Sequence, residues 1–214
     1  MKTILFFLCL LLLVSPSKAE RSALDVYAAA FGGEVYATSE TLSRTFKVKK
    51  ARFDTKLGDT SVAELRRLAR SKAIKYGLPP TLFEAVIQAE SNFDKRCLGA
   101  AGEMSLGQIM VPTWAILVGK IPGAAPEPWR PEDNLEGAAI YMRDSFYSLT
   151  PAYLEYARRR GYLREHLVLA LYNGGSGTVG RCVRTDRPLP PKIISYIRRV
   201  IRIHNSLQRR QERV

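Results

Sequence analysis

Residues 81–93, TLFEAVIQAESNF, carry the clearest structural signal in this chain, the pattern of one amphipathic helix. Glu90 follows Ile87, Val86 and Phe83 by three, four and seven positions, and these spacings share one face of an α-helix. The pattern therefore places a carboxyl group on the apolar face. Burial disfavours the charged form of a carboxyl group, so its pKa rises and it can hold a proton near neutral pH. We predict that Glu90 is a general acid.

Two alternatives apply to the same helix. A shift of the helix by one residue would turn Glu90 toward solvent, and helix boundaries are the least certain part of such an interpretation. Glu84 follows Thr81 by three positions, just after Pro79 and Pro80. This is the spacing of a capping box at a helix start, and it predicts a structural role for Glu84.

Residues 1–19 have the pattern of a cleaved export signal. Lys2 precedes an apolar run from Thr3 to Val14, and small residues then lead to Ala19, after which we expect cleavage. An uncleaved membrane anchor is the alternative, but the apolar run is shorter than the ~20 residues that a spanning helix needs. We therefore expect a periplasmic or secreted protein.

Cysteine usage agrees with export. Cys9 leaves with the signal, and Cys97 and Cys182 remain as an even pair. An oxidising compartment favours a disulfide between these two residues, and a pair of buried thiols is the alternative. We predict the disulfide.

The chain is strongly basic, with a formal net charge of +13. Loss of Lys2 and Lys18 with the signal leaves +11. Basic charge of this size favours polyanionic partners, which include nucleic acid and the anionic cell envelope. The basic residues are dispersed along the chain, and the export signal favours the envelope. We therefore expect no nucleic-acid partner.

Composition divides the remainder of the chain into two parts. Residues 20–58 are mixed in character and are expected to form a partly ordered N-terminal extension. In residues 59–214, apolar side chains recur at helical spacing, and no segment shows the alternation of a strand. The fold class is therefore predicted to be mainly α, in one domain. The expected helices begin near Val62, Thr81, Pro112, Leu135, Arg164 and Lys192, with a proline-rich loop at 121–131.

Three short motifs follow one another in the helical part. They are ESNF at 90–93, GAAGEMSLGQIMVP at 99–112 and ALYNGG at 170–175. Together they resemble the catalytic domain of the soluble lytic transglycosylase family, which has a goose-type lysozyme-like fold. The resemblance extends over roughly residues 65–205, and residues 133–142 and 196–200 fit the same family.

Three positions depart from the family pattern. The family usually has Gly-Leu-Met-Gln where this chain has Ser105-Leu106-Gly107-Gln108, and it often has alanine where this chain has Leu171. Because position 107 lacks a methionine side chain, we expect the sugar to pack differently there.

The resemblance implies cleavage of the β-1,4 bond between N-acetylmuramic acid and N-acetylglucosamine in peptidoglycan. Ordinary glycosidases use two carboxylates, and Glu90 has no evident second partner, since Asp94 lies past the expected helix end. A lytic transglycosylase needs only one glutamate. That glutamate protonates the leaving oxygen, and then takes the proton of the muramic C6 hydroxyl, which attacks C1 to form a 1,6-anhydro ring without water.

The family roles transfer to individual positions. Glu90 would be the acid and then the base, Tyr172 would lie near it and orient it, and Tyr196 would contribute to the cleft wall. The residues expected to contact substrate are Ser91, Gln108, Tyr172, Asn173 and Tyr196. Two of them have structural alternatives: Ser91 as a hydrogen-bonding residue at a helix end, and Asn173 with Gly174 as a helix C-cap.

Two weaker patterns are set aside. Residues 175–180, GSGTVG, match the glycine spacing of a dinucleotide-binding loop, but no strand precedes them. We predict a flexible loop there and no nucleotide partner. His166 and His204 lie far apart without ligand-like spacing, so we expect no metal and no cofactor.

Other functions remain open for this sequence. A hydrolytic, lysozyme-like muramidase of the same fold would use a water molecule. A non-enzymatic envelope-binding or secretion-assembly protein would keep the fold without the chemistry. Service to a secretion or conjugation apparatus is an expectation from family membership alone. We expect a monomer that acts on peptidoglycan glycan strands.

Overall fold

The computed structural model describes residues 60–123 and 125–212, so the expected signal and N-terminal extension lie outside the described residues. The described chain contains seven helices and no strand, which confirms the mainly α fold. Its only β-pairing consists of two isolated bridges, Leu98–Met104 and Met104–Ile109. The helices are α1 Val62–Lys75, α2 Pro80–Ser91, α3 Val111–Val118, α4 Pro131–Tyr147, α5 Pro151–Arg160, α6 Arg164–Thr185 and α7 Pro191–Gln211.

Most of these helices begin for the same chemical reason. Helices α2, α3, α4, α5 and α7 each have a proline at the first or second helical position. Proline has its φ already fixed at a helical value, and the N–H that it lacks would have no partner in the first turn. Helix α1 begins instead with a capping box between Ser61 and Glu64.

Helix α2 lies at the centre of the fold, where it packs against α1 and α7. Its apolar face is fully buried: Phe83, Val86 and Ile87 each expose 0% of their surface. The face predicted from residues 81–93 is therefore the one that the core covers. Because Glu90 follows on the same face, the core also determines the surroundings of its carboxyl group.

Glu84 does not cap α2. The helix begins at Pro80 without a side-chain cap, so the predicted capping box with Thr81 is wrong. Glu84 is completely buried, and its carboxylate accepts hydrogen bonds from Arg66, at 2.5 Å, and from Arg70, both on α1. Its role is structural, as predicted, but the role consists of joining two helices through an ion pair.

Glu136 joins α1 to α4 in the same way. Lys72, Lys75 and Tyr76 all donate hydrogen bonds to its carboxylate. Burial alone would raise the pKa of Glu136, but these hydrogen bonds outweigh it and hold the pKa below its ordinary value.

Two helical segments differ from the sequence predictions. Helix α5 was not predicted, since it buries only Tyr156 and Ala157 and its apolar pattern is weak. Helix α6 continues to Thr185, so the predicted loop at 175–180 is wrong. Gly175, with φ 71° and ψ 160°, kinks α6, and the helix then resumes because Val179 is buried against the core. Asn173 lies two residues before this kink and keeps a helical conformation.

No disulfide joins Cys97 and Cys182, so that prediction is also wrong. Cys97 lies in the loop that follows α2. Cys182 is buried in the second half of α6, where it is close enough to Tyr156 of α5 to affect the pKa of that phenol. Because α6 continues past its kink, Cys182 packs toward α5 rather than pairing with the loop cysteine.

None of the described helices combines the length and the apolar character that a membrane-crossing helix needs.

Candidate active site

Glu90 lies in the last turn of α2, and its carboxyl group is partly buried. The helix ends directly after it because Asn92 and Phe93 both adopt positive φ, 51° and 63°. Burial raises the pKa of Glu90 to about 7, and the negative charge of Glu103 acts in the same direction. A carboxyl group with this pKa exchanges its proton readily at neutral pH, as general acid–base catalysis requires.

Tyr196 of α7 holds the Glu90 carboxyl group in place. Its hydroxyl donates a hydrogen bond of 2.6 Å to Oε1 of Glu90. This bond favours the ionised carboxylate, as does the positive charge of the exposed Arg199, whose guanidinium lies 5.6 Å from the centre of the Tyr196 ring. Burial and the Glu90 charge together raise the pKa of Tyr196 well above its ordinary value, so Tyr196 remains a donor. Oε2 of Glu90 has no hydrogen-bond partner among the described residues and can carry the transferable proton.

Tyr172 of α6 approaches the same carboxyl group but makes its hydrogen bond elsewhere. Its hydroxyl donates to the backbone oxygen of Gly107 at 2.8 Å, and its ring centre lies 5.2 Å from that of Tyr141. Burial and then the Glu90 charge raise the pKa of Tyr172. Sequence reasoning expected Tyr172 to orient Glu90 and Tyr196 to form the cleft wall. In the structure, it is Tyr196 whose hydroxyl contacts the carboxyl group.

The second motif forms a tight loop, which is held to the start of α4 by one buried side chain. Asn134 exposes 0% of its surface, and its Oδ1 accepts a hydrogen bond of 2.8 Å from the backbone N–H of Gly107. Its Nδ2 donates to the backbone oxygens of Met104 and Pro128. Asn134 therefore determines where the motif loop lies relative to the helices.

The two family departures in this loop have physical explanations. Ser105 stands where the family has glycine, and it adopts φ 60°, a conformation that favours glycine. Its hydroxyl compensates by donating to the backbone oxygen of Lys95 at 2.9 Å. At Gly107, a Cβ atom would lie 2.7 Å from the Cβ of Ala138 and 3.1 Å from the hydroxyl oxygen of Tyr172. No larger side chain fits at position 107 in this packing.

Gln108 is fixed by the loop backbone. Its Nε2 donates to the backbone oxygens of Cys97 and Ser105, at 3.1 and 2.8 Å, so Oε1 is left for other partners. Gln108 opens onto a pocket of about 240 Å³. The pocket is lined by Gly107, Gln108, Ile109, Met110, Thr113, Tyr141, Tyr172, Asn173, Gly174 and Gly175.

The remaining predicted residues have different surroundings. Asn173 is exposed and lines the pocket beside Gln108 and Tyr172. Ser91 is buried, and its hydroxyl donates to the backbone oxygen of Ile87, 3.3 Å away in its own helix. The structure thus places Gln108, Tyr172 and Asn173 on one pocket and joins Tyr196 to Glu90, whose charge acts on Tyr172. The Ser91 hydroxyl is used within α2.

Sequence reasoning missed two residues of the site. Glu103 lies near enough to Glu90 to raise its pKa, and Tyr141 of α4 lines the pocket against Tyr172. Both occur within the motif segments already identified, at 99–112 and 133–142. A carboxylate inside the second motif was the signal that could have revealed Glu103. Among residues 60–123 and 125–212, no group of three His, Cys, Asp or Glu side chains is placed to hold a metal ion.

Comparison with known proteins agrees with this geometry. The sequence profile of the family described as "Transglycosylase SLT domain" matches residues 67–194. The chain is similar to "Membrane-bound lytic murein transglycosylase C" of Photorhabdus laumondii, with 29% identity over 133 residues, which cover 60% of this chain and 36% of that protein. Proteins of the same name from Yersinia pestis and Yersinia pseudotuberculosis are 29% identical over 125 residues, covering 56% of this chain and 34% of theirs.

The chain therefore matches only about a third of the length of these curated relatives. The family match itself covers more than half of the chain and includes Glu90, Gln108 and Tyr172. On that extent of matching, this protein belongs to the Transglycosylase SLT domain family.

Proposed function

We propose that this protein is a peptidoglycan lytic transglycosylase in which Glu90 is the general acid and then the general base. The observation that carries the proposal is the state of one carboxyl group. Glu90 is partly buried, its pKa is raised to about 7, and Tyr196 fixes one of its oxygens. The names of the curated relatives, which are lytic murein transglycosylases, support the same activity.

The proposed reaction needs no group beyond this glutamate and the substrate. Protonated Glu90 donates its proton to the glycosidic oxygen as the bond from C1 of N-acetylmuramic acid to that oxygen breaks. The acetamido group of the same sugar stabilises the positive charge at C1. The C6 hydroxyl then bonds to C1 and gives its proton to the Glu90 carboxylate. Glu90 ends protonated as it began, and no water is consumed.

The position of Tyr196 suits both steps. Its hydrogen bond stabilises the carboxylate that forms when Glu90 gives up its proton, so the first step is helped. Burial acts in the opposite direction and favours proton recapture in the second step. With a pKa near 7, neither protonation state is strongly favoured at neutral pH, as a residue that acts twice requires.

A hydrolytic muramidase is the second candidate, and one observation favours it. Glycosidases that use water need two carboxyl groups near the scissile bond, and Glu103 supplies a second one close to Glu90. The two candidates give different products. Transglycosylation leaves 1,6-anhydro ends, which are lighter by one water than the reducing ends left by hydrolysis.

The test is mass spectrometry of peptidoglycan digested by the purified protein. We expect anhydro products, and a digest that contained only reducing ends would overturn the transglycosylase assignment. Glu90→Gln should lower the rate by about 10³-fold, because it removes the group that transfers protons. The matched control is Glu132→Gln, which changes an exposed glutamate in the first turn of α4 and should leave the rate unchanged.

The relatives' name also bears on location. They are described as membrane-bound enzymes of murein, and murein lies in the cell envelope. Together with the export-signal pattern at residues 1–19, this supports an envelope location for the present chain.

A further inference from the structure

The mechanism above leaves one carboxylate in the site without a role. Glu103 lies in the motif loop and is partly buried. The loop folds back on itself there: the backbone N–H of Gly99 donates to the backbone oxygen of Glu103 at 2.8 Å, and Leu98 pairs with Met104. The backbone N–H of Ala101 donates to Oε2 of Glu103 at 2.9 Å, which holds the carboxylate over the loop.

Gly99 provides the space for this carboxylate. A Cβ atom at Gly99 would overlap Oε2 of Glu103 and would lie 2.8 Å from Oε1 of Gln108. The oxygens of the two side chains therefore meet above Gly99, where any other residue would obstruct them. Gln108 cannot turn its amide around without losing the two hydrogen bonds that Nε2 donates to the backbone.

Both oxygens are hydrogen-bond acceptors, and the protein provides few donors for them. Among residues that the structure describes, only Ala101 donates to Glu103, none donates to Oε1 of Gln108, and no cation pairs with Glu103. The two buried glutamates are treated differently, since Glu84 and Glu136 each contact two basic side chains. Two acceptors that share a single backbone donor keep lone pairs for a ligand that brings another donor.

The Glu103 carboxylate acts electrostatically on Glu90, the proposed general acid. The charge of Glu103 raises the pKa of Glu90. The other groups that face Glu90 are Tyr196 and Arg199 from α7 and Tyr172 from α6. Gln108 also lines the pocket beside Tyr172, so one of the two acceptor side chains borders that pocket.

We propose that Glu103 is a positioning residue of the active site, whose carboxylate, paired with Oε1 of Gln108, binds the acetamido N–H of the sugar next to Glu90. The inference rests on the proposed function. An acetamido N–H is a donor with no acceptor capacity of its own, and a carboxylate binds such a donor more strongly than a neutral oxygen does. When the acetamido oxygen stabilises C1, positive charge develops on the nitrogen, and the hydrogen bond to Glu103 strengthens. No proton leaves the nitrogen, and no bond to Glu103 forms.

The test measures the binding of two ligands to three variants, Glu103→Gln, Gly99→Ala and the double variant. The thiazoline derivative of N-acetylglucosamine, when its ring nitrogen is protonated, imitates the state in which the acetamido group has closed onto C1 and still carries its N–H, whereas chitotetraose imitates the ground state. Glu103→Gln should weaken thiazoline binding by about 10-fold or more, because a charge-assisted hydrogen bond is lost. It should change chitotetraose binding by less than about 3-fold. The upper limb of the pH–rate profile should also move to lower pH, because the charge that raises the Glu90 pKa is gone.

Gly99→Ala is the second variant, and it leaves the carboxylate chemically intact. Its Cβ must displace the Glu103 side chain, which is flexible at its end, and Gly99 does not adopt a positive φ that would strain alanine. We expect the same loss of thiazoline binding as in Glu103→Gln, and no further loss in the double variant. Glu132→Gln is the control, and a thermal melt of each variant checks the fold.

Two results would overturn the inference. Unchanged thiazoline binding in both Glu103→Gln and Gly99→Ala would show that the sugar does not use this carboxylate. A rise in the ratio of anhydro to reducing ends in Glu103→Gln would show that Glu103 activates water instead. If the proposed function were wrong, the unaltered protein would yield only reducing ends. The ligand-binding comparison could still be made, so that result is distinguishable from a failure of the present inference.

Discussion

Glu84 and Glu90 lie on the same helix, six positions apart, and the fold treats them in opposite ways. Glu84 is fully buried and is neutralised by Arg66 and Arg70. Glu90 is less buried, yet a tyrosine hydroxyl is its one hydrogen-bond partner in the described part of the chain, and its pKa rises to about 7. Burial therefore does not by itself make a proton donor. Among the residues that the structure describes, no cation contacts Glu90, and this distinguishes the proposed catalytic carboxyl group from the structural one.

The largest expected effect is on stability at Glu84. Glu84→Gln should lower the free energy of unfolding by about 3 kcal/mol, because it removes the charge that Arg66 and Arg70 both contact. Urea denaturation followed by circular dichroism measures this change. If the variant were as stable as the unaltered protein, the ion pair would not be what joins α1 to α2.

The same substitution at Glu90 should act in the opposite direction. The folded pKa of about 7 lies above the ordinary value of 4.5, so the stability contributed by protonated Glu90 is present below pH 4.5 and is lost as the pH rises through 7. Glu90→Gln avoids that loss and should be more stable by about 2 kcal/mol at pH 8. The gain should disappear near pH 4. Urea denaturation at both pH values measures it, and a destabilised variant at pH 8 would contradict the assignment of a raised pKa.

Tyr196→Phe tests how the surroundings of Glu90 determine its pKa, because it removes the only hydrogen bond that a described residue makes to Glu90. Because that bond lowers the pKa of Glu90, its loss should move the upper limb of the pH–rate profile to higher pH, on the order of one pH unit. Tyr172→Phe is the matched control, since its hydroxyl bonds to Gly107. A similar displacement in both variants would mean that the limb does not report on Glu90.

The smallest expected effect is at Arg199. Its charge lowers the pKa of Glu90 from an exposed position, so Arg199→Gln should move the same limb upward by only a few tenths of a pH unit. The difference should diminish at high salt, where exposed charges are screened. Arg198→Gln provides the control, as it removes an equal charge from the neighbouring exposed position. A displacement that did not depend on salt would argue against a purely electrostatic cause.

Local periodicity was sufficient to predict the helices that bury a clear apolar face. Helix α2 is the best example, because Phe83, Val86 and Ile87 follow the spacing of one buried stripe. Helix α5 could not be found in this way, since it buries only two residues and ends in three consecutive arginines. The sequence prediction for α6 ended before Gly175, whereas the helix continues to Thr185. A glycine in a kinked helix cannot be distinguished, from the sequence alone, from a glycine in a loop.

Site residues were predictable where the family motifs name them, but their contacts were not. The motifs identified both Tyr172 and Tyr196, yet only the packing of α7 against α2 determines which hydroxyl contacts Glu90. Glu103 was missed because its proximity to Glu90 depends on the fold of the loop above Gly99. The disulfide was predicted from the expected compartment and the number of cysteines. Neither of these gives the distance between the sulfur atoms of Cys97 and Cys182.

The end of α2 has a further electrostatic consequence. Asn92 and Phe93 turn into the left-handed region, so the helix stops at Ser91, one residue after Glu90, and Glu90 lies within its final turn. The last carbonyl groups of a helix carry the negative end of its dipole, which disfavours a nearby anion. A helix that continued for another two turns would move those carbonyls away from the carboxyl group. The point at which the chain leaves the helix therefore helps Glu90 to keep its proton.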